Sequence, residues 1–308
     1  MRRFLISLLF LTACGRGAEP RLLLAAYTAP REVYHRRIIP AFRARWRAEH
    51  GQDIRIDESY QGSGAQSRAI AGGFPADIAA LALDPDIERL VKANLVRKDW
   101  QAHSATATTL VALAVRSGNP RGIHDFPDLA RPGLQVIMPN PRISGGAMWN
   151  VTGIYGSARL GGADDARATD LLAQVVRNVS VMDKGARESI NTFEQGIGDV
   201  AVTYESEIFA GRAAGRQYDG VLPPRTLVIR CPIAVVDANA DEHGTREAAE
   251  AFVAFLKTDE AQAAFHEYGF RREVPAGSFT IEDLGGWKKV REEVFGPKGA
   301  WARASRER

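Results

Sequence analysis

The sequence predicts an α/β protein with mostly parallel sheets. Three observations carry that expectation. Apolar, strand-like runs alternate with helix-patterned segments from Leu22 to Tyr268. One run, Asp77-Ile-Ala-Ala-Leu-Ala-Leu83, is continuously apolar after its first residue. A parallel strand covered on both faces has that composition. The joints between runs and helices are repeatedly made of Gly and Ser.

Taken in order, Leu22 to Tyr27 reads as a strand. A helix follows, with Tyr34, Ile38, Phe42 and Trp46 on one face and Pro40 predicting a kink or restart. Asp53 to Asp57 alternates as a strand does, Ser59 to Gly64 turns, and Ala65 to Ala71 is a short helix. Asp86 to Ala93 is helical. Thr108 to Val115 and Leu134 to Met138 are strands. Met148, Val151, Tyr155 and Ala158 mark one helix; Asp170 to Asn178 and Glu188 to Gln195 are others. Asp199 to Glu205 and Leu227 to Val236 are strands. Asp241 to Leu256 and Asp259 to Tyr268 are helices, and the tail Arg303 to Arg308 is expected to fray. No internal repeat or low-complexity segment is present.

Composition narrows the class. The chain has 308 residues, enough for about two domains. It is 45% hydrophobic and 25% charged, near the average for globular proteins, which excludes collagen, wholesale disorder and a polytopic membrane protein. A net charge of +3, spread along the chain, does not favour nucleic acid as partner. Two cysteines allow no disulfide framework, and Cys231, inside an apolar run, reads as a buried inert thiol.

The N-terminus is laid out for export. Met1-Arg2-Arg3 is basic, Phe4 to Leu11 is apolar, and Leu11-Thr12-Ala13-Cys14 follows. The apolar run is too short to span a bilayer. Leu-Thr-Ala-Cys resembles the bacterial lipobox. Residues 1–13 would then be a signal peptide, Cys14 the lipidated first residue, and 14–21 a tether. Ordinary secretory cleavage nearby is the alternative.

Three places share the order strand, small-residue turn, helix: Gln61-Gly-Ser-Gly64, Ile143-Ser-Gly-Gly146 and Lys184-Gly-Ala-Arg187. The first N–H groups of a helix lack internal acceptors and sit at the positive end of its dipole, so each turn is a possible anion site. Helix capping alone also favours Gly and Ser there. Gly62 to Arg68 lacks the lysine of a phosphate-binding P-loop. No serine stands in a G-x-S-x-G elbow. The six histidines show no metal-binding spacing, so no metal or cofactor is expected. Asp84-Pro-Asp86 is explained by a helix start. No nucleophile or base can be assigned, which argues against an enzyme.

Many ordered markers resemble the sulfate-binding proteins of bacterial ABC importers, from about Leu22 to Phe295. They include Tyr27 with Arg31-Glu-Val-Tyr34, Gly62-Ser-Gly64, Ala80-Leu-Ala-Leu83 and Pro139-Asn-Pro141. The most specific are Ser144-Gly-Gly-Ala147 with Trp149-Asn150, Gly185-Ala-Arg187 with Asn191-Thr-Phe193, and Gly196-Ile-Gly-Asp199. The resemblance implies a type II periplasmic binding-protein fold: two α/β lobes, two crossover strands and a ligand cleft between them. Lobe one would be 22–112 plus 206–308, lobe two 113–205, with crossovers near Val111–Arg116 and Val202–Glu205.

In that family a desolvated sulfate is held by neutral donors alone. Carried over, these are backbone N–H groups at Thr28, Ser63, Gly145, Gly146 and Ala186, the Ser144 hydroxyl, and the Tyr204 side chain. Arg187 would offset charge without contact. Three positions depart from the family: Thr28-Ala29-Pro30 replaces Asp-Pro-Thr, Met148 replaces Arg, and Tyr204 replaces Trp. The resemblance implies a monomeric, lipid-anchored receptor in the periplasm or cell envelope. It would deliver sulfate, or a close oxyanion such as thiosulfate, to an ABC permease. An oxyanion sensor or scavenger is the alternative.

Overall fold

A computed structural model describes residues 19–307. The signal peptide and Cys14 expectations lie outside them. Among these residues the chain forms nine strands, most of them from the apolar runs, and their pairing divides at a single point. Strands β1 (Arg21–Ala26), β2 (Arg55–Tyr60) and β3 (Ile78–Ala80) are parallel neighbours. The 12-residue β4 (Ala105–Arg116) runs through both halves of the molecule. Its first half, Ala105 to Leu110, pairs antiparallel with β9 (Val228–Val235), which also pairs with β3. Its second half pairs with β7 (Val200–Tyr204) on one edge and β8 (Tyr218–Val221) on the other. Parallel to β7 run β5 (Val136–Pro139) and β6 (Val179–Asp183). The order is β2-β1-β3-β9-β4-β7-β5-β6. The lobes therefore meet at Leu110/Val111, inside one continuous strand.

Helices cover both faces of each half. On the first lobe, α1 (Arg31–Val33) leads through a π-turn at Tyr34–Ile38 into α2 (Ile39–His50). The expected disturbance at Pro40 takes this form: the wider turn absorbs the missing proline N–H. Then come α3 (Ser63–Ala71) and α4 (Asp84–Lys92). The second lobe carries α5 (Gly145–Leu160), α6 (Asp165–Asn178), α7 (Ala186–Glu194) and α8 (Glu205–Ala213). The chain continues through α9 (Asp237–Glu242), α10 (Arg246–Phe255) and α11 (Asp259–Glu267), and ends in α12 (Gly286–Glu293) and α13 (Ala300–Ala304).

Several expectations need correcting. The helix expected over 241–256 is two helices. Gly244 takes φ +68°, and the break lets His243 Nδ1 and the Thr245 hydroxyl reach the buried Asp77 carboxylate at 2.8 and 2.7 Å. The strand expected over Asp77–Leu83 is hydrogen-bonded as a ladder only at Ile78–Ala80. The expected return to lobe one at residue 206 does not match the pairing. Helix α8 packs Ile208 with Ile190 and Phe193, and β8 pairs with the second half of β4. The chain rejoins the first sheet between β8 and β9. Nor does all of 206–308 belong with lobe one. Phe279 packs against Gly156 of α5, and Arg303 of α13 donates to Asp165 and Thr169 of α6, both at 2.9 Å. The described part of the C-terminal tail, 303–307, is thus helical and is anchored on the second lobe through Arg303.

Cys231 is buried, and burial pushes its thiol up to about 12, as an inert core thiol requires. Among the described residues no helix is long and apolar enough to cross a membrane, and no cluster of His, Cys, Asp or Glu could hold a metal ion.

Candidate functional site

Parallel strands end at the same edge of their sheet, and the crevice beyond that edge is where α/β folds bind ligands. Each expected donor lies at or just past such an end, Tyr204 being the last residue of β7. Strand β1 leads to Thr28, β2 to Ser63, β5 to Ser144 and Gly145, and β6 to Ala186. The first-turn bonds of the three helices leave donors over. In α3 the N–H groups of Ala65 and Gln66 both bond Gly62 O, leaving those of Ser63 and Gly64. In α5 the Ser144 Oγ caps Ala147 N at a long 3.4 Å, leaving Gly145 and Gly146. Helix α7 has no side-chain cap at all.

Gly146 marks where the second-lobe groups meet. A Cβ placed on it would stand 3.1 Å from Ala186 Cβ, 3.2 Å from the Tyr204 Oη and 3.4 Å from Ser144 Oγ. Two helix N-termini, a serine hydroxyl and a phenol hydroxyl thus surround one small space. Only glycine leaves that space open. Gly145 faces the other lobe: a Cβ there would lie 3.2 Å from Leu83 Cδ1 and 3.5 Å from Ala82 Cβ.

Ser63 joins through the same wall. Its hydroxyl accepts from Ala82 N–H at 2.9 Å and donates to Asp86 Oδ2 at 2.6 Å, so only its backbone N–H remains for a ligand. The Trp149 indole of α5 donates to Ala82 O at 2.8 Å, tying the second lobe to the first beside the cradle. Thr28 is half-buried at the end of β1, its carbonyl accepting from Arg31 N–H at 3.3 Å. No hydrogen bond among the described residues links it to the other donors.

The groups that meet at Gly146 are neutral; formal charge stands one step back and is paired. Asp86 accepts from Arg89 at 2.9 Å. Arg187 lies 3.0 Å from Glu207 of α8 and 3.2 Å from Glu32 of α1, so it crosses the cleft. The Glu207 carboxylate is 1% exposed. Neither of its oxygens accepts an aligned hydrogen bond, and burial pushes it up to about 7, partly opposed by Arg187. Tyr204 is 1% exposed. Burial first, then the neighbouring Cys231, Glu207 and Asp86, holds its hydroxyl well above the ordinary tyrosine range, so it stays protonated and can donate. Among the described residues that hydroxyl has no hydrogen-bond partner.

The structure brings Ser144, Gly145, Gly146, Ala186 and Tyr204 together, ties Ser63 to them through Ala82, and leaves Thr28 at the same sheet edge. Sequence reasoning missed what Asp86, Trp149 and Glu207 do here. Asp86 looked like a helix start, and nothing local marked it as the acceptor for Ser63.

Two lobes sharing one strand, with small-residue helix N-termini facing the gap, define an extracellular solute-binding protein of the periplasmic type. Comparison with known proteins agrees. Residues 22–271 match the family described as bacterial extracellular solute-binding protein. A sulfate-binding protein of Synechococcus elongatus is 40% identical, aligned over 93% of this chain and 87% of its own length. A thiosulfate-binding protein of Pseudomonas aeruginosa is 36% identical over 93% and 92%. The solved structure of the sulfate-binding protein SubI from Mycobacterium tuberculosis superposes with a TM-score of 0.83 at 37% identity, covering 90% of this chain and 100% of that one. The chain belongs to the sulfate- and thiosulfate-binding family of bacterial extracellular solute-binding proteins.

Proposed function

We propose that this protein captures sulfate, or a close tetrahedral dianion such as thiosulfate, in the interlobe cleft and delivers it to an ABC permease. One observation carries the reading. The α5 and α7 N-termini, the Ser144 hydroxyl and the Tyr204 hydroxyl converge at Gly146, and all are neutral. Near neutral pH sulfate carries no proton and can only accept. Burying a dianion is very costly unless its oxygens are hydrogen-bonded, and a carboxylate in contact would instead select a protonated oxyanion. The relatives named for sulfate and thiosulfate support the same ligand class. Lobe closure about the Leu110/Val111 passage and the β8–β9 return would enclose the anion.

Export follows from the N-terminal pattern. In this reading residues 1–13 are a cleaved signal and Cys14 carries lipid. The receptor acts as a monomer in the periplasm or cell envelope and catalyses nothing.

Calorimetric titration with sulfate, thiosulfate, molybdate and phosphate in sulfate-free buffer tests the ligand. Micromolar or tighter 1:1 sulfate binding, with phosphate silent, is expected. Silence toward every tetrahedral oxyanion would sink the reading. Mass spectrometry of the envelope form tests acylation at Cys14.

A further inference from the structure

Tyr204 ends β7 opposite Val111, at the point where β4 leaves one sheet for the other. Nothing among the described residues holds its hydroxyl. The placement of that hydroxyl is therefore set by the core packing of its ring and by the backbone behind it. That backbone is clamped. The next residue, Glu205, is buried, and Arg271 takes its carboxylate in a two-pronged grip, Nε and Nη2 each 2.6 Å from an oxygen. The Arg271 N–H donates to Thr108 O at 2.7 Å, and the Ser206 N–H donates to Thr109 Oγ1 at 3.2 Å. Tyr204-Glu205-Ser206 is thus pinned to residues 108–111 of β4 from two sides. A bidentate Arg–carboxylate pair is directional as well as strong, which a lysine cannot reproduce.

We propose that Arg271 is a positioning residue for the bound oxyanion: through Glu205 it sets where the Tyr204 hydroxyl stands at the cradle. It touches no ligand itself. The inference rests on the reading that the Tyr204 hydroxyl donates to the anion. A donor must be held by its surroundings to act at full strength, and here the clamp is that support.

The test is a double-mutant cycle read by calorimetry with sulfate, with the melting temperature recorded for each variant. Tyr204→Phe should weaken binding about tenfold, the worth of one hydrogen bond to a charged group. Arg271→Gln and Glu205→Gln should each weaken it about five- to tenfold in the parent, yet less than twofold further in the Tyr204→Phe background. Arg271→Lys, which keeps the charge but not the fork, should recover part of the loss. It also carries the cycle should Arg271→Gln fail to fold. Equal losses in both backgrounds would overturn the inference, because the clamp would then act on the lobes as a whole. So would an unchanged affinity in Arg271→Gln. An unchanged affinity in Tyr204→Phe would instead overturn the donor role of Tyr204, and the inference with it.

Discussion

Two spaces lie side by side between the lobes, and they follow opposite rules. The cradle at Gly146 is small, walled by Ser144, Ala186 and Tyr204, and its donors are neutral. Beyond the contact of Gly145 with Leu83, a cavity of about 1160 Å³ opens between α4, α5 and the C-terminal segment. Its walls carry Asp84, Glu88, Lys288 and Arg291 around Met148 and Trp287. Both spaces touch the first turn of α5. The difference teaches how the fold treats a dianion. In the proposed site, where water is excluded, preorganised dipoles would do the binding. Full charges, which are costly to bury, stand where solvent reaches them or where a partner is at hand.

The strongest way to break that contrast is to fill the cradle. In Gly146→Ala the new methyl would press on Ala186, Tyr204 and Ser144 at once, at 3.1, 3.2 and 3.4 Å. We expect sulfate affinity to fall about 100-fold or more, with little change in melting temperature. Calorimetry beside a thermal melt checks both halves. A loss of stability in step with affinity would mean that the residue serves packing.

Ser144→Ala comes next. It removes one hydroxyl donor and a helix cap that is already long at 3.4 Å. Sulfate binding should weaken about ten- to thirtyfold, through a lost hydrogen bond to a charged group. Stability should drop only slightly. A fall below threefold would place the hydroxyl outside the ligand's reach.

The cavity side is sharpened by pH. Burial, then the nearby Glu282 and Glu88, pushes the Asp84 carboxyl up from 3.8 to about 6. Between those values the folded protein holds a proton that the unfolded chain has lost. Stability should therefore fall as pH rises through that window and level off above it. Asp84→Asn should flatten this slope and raise the melting temperature at pH 7.5 by about 2–4 °C, with no gain at pH 3.5. Melts across that range decide it. A lower melting temperature at pH 7.5 would mean that the negative charge at the start of α4 helps the fold.

Much of this was legible in the sequence, for a physical reason. Buried strands need apolar runs, and helix starts beside a ligand need glycine or serine. Both therefore leave local marks, and the turns at Gly62, Ser144 and Gly185 all proved to precede helices. Other elements left none. Strand β6 is half-buried and carries Ser180 and Asp183, while β8 contains Asp219 and Gly220. Helix α8 buries two glutamates, Glu205 and Glu207, whose partners Arg271 and Arg187 are distant in sequence. An acidic pair read alone suggests a solvated face. The break at Gly244 was hidden because the group it serves, the buried Asp77, lies just before β3, far away in the chain. What sequence reasoning lacks here is the far partner.

Met148 gives the smallest expected effect and the finest test of the comparison. It lines the cavity with Asp84, which among the described residues forms no ion pair, Arg230 acting on it only at longer range. Met148→Arg would supply one. The melting temperature at pH 7.5 should rise by about 1–2 °C, because a partly solvated pair is worth little. Sulfate affinity should stay within about twofold, since the added charge lies beyond the Leu83–Gly145 wall and in reach of screening ions. Titrations at low and at physiological salt separate the possibilities. An affinity that climbs tenfold at low salt would show that charge outside the cradle helps hold the anion. The division between neutral donors inside and charge outside would then be one of distance rather than of kind.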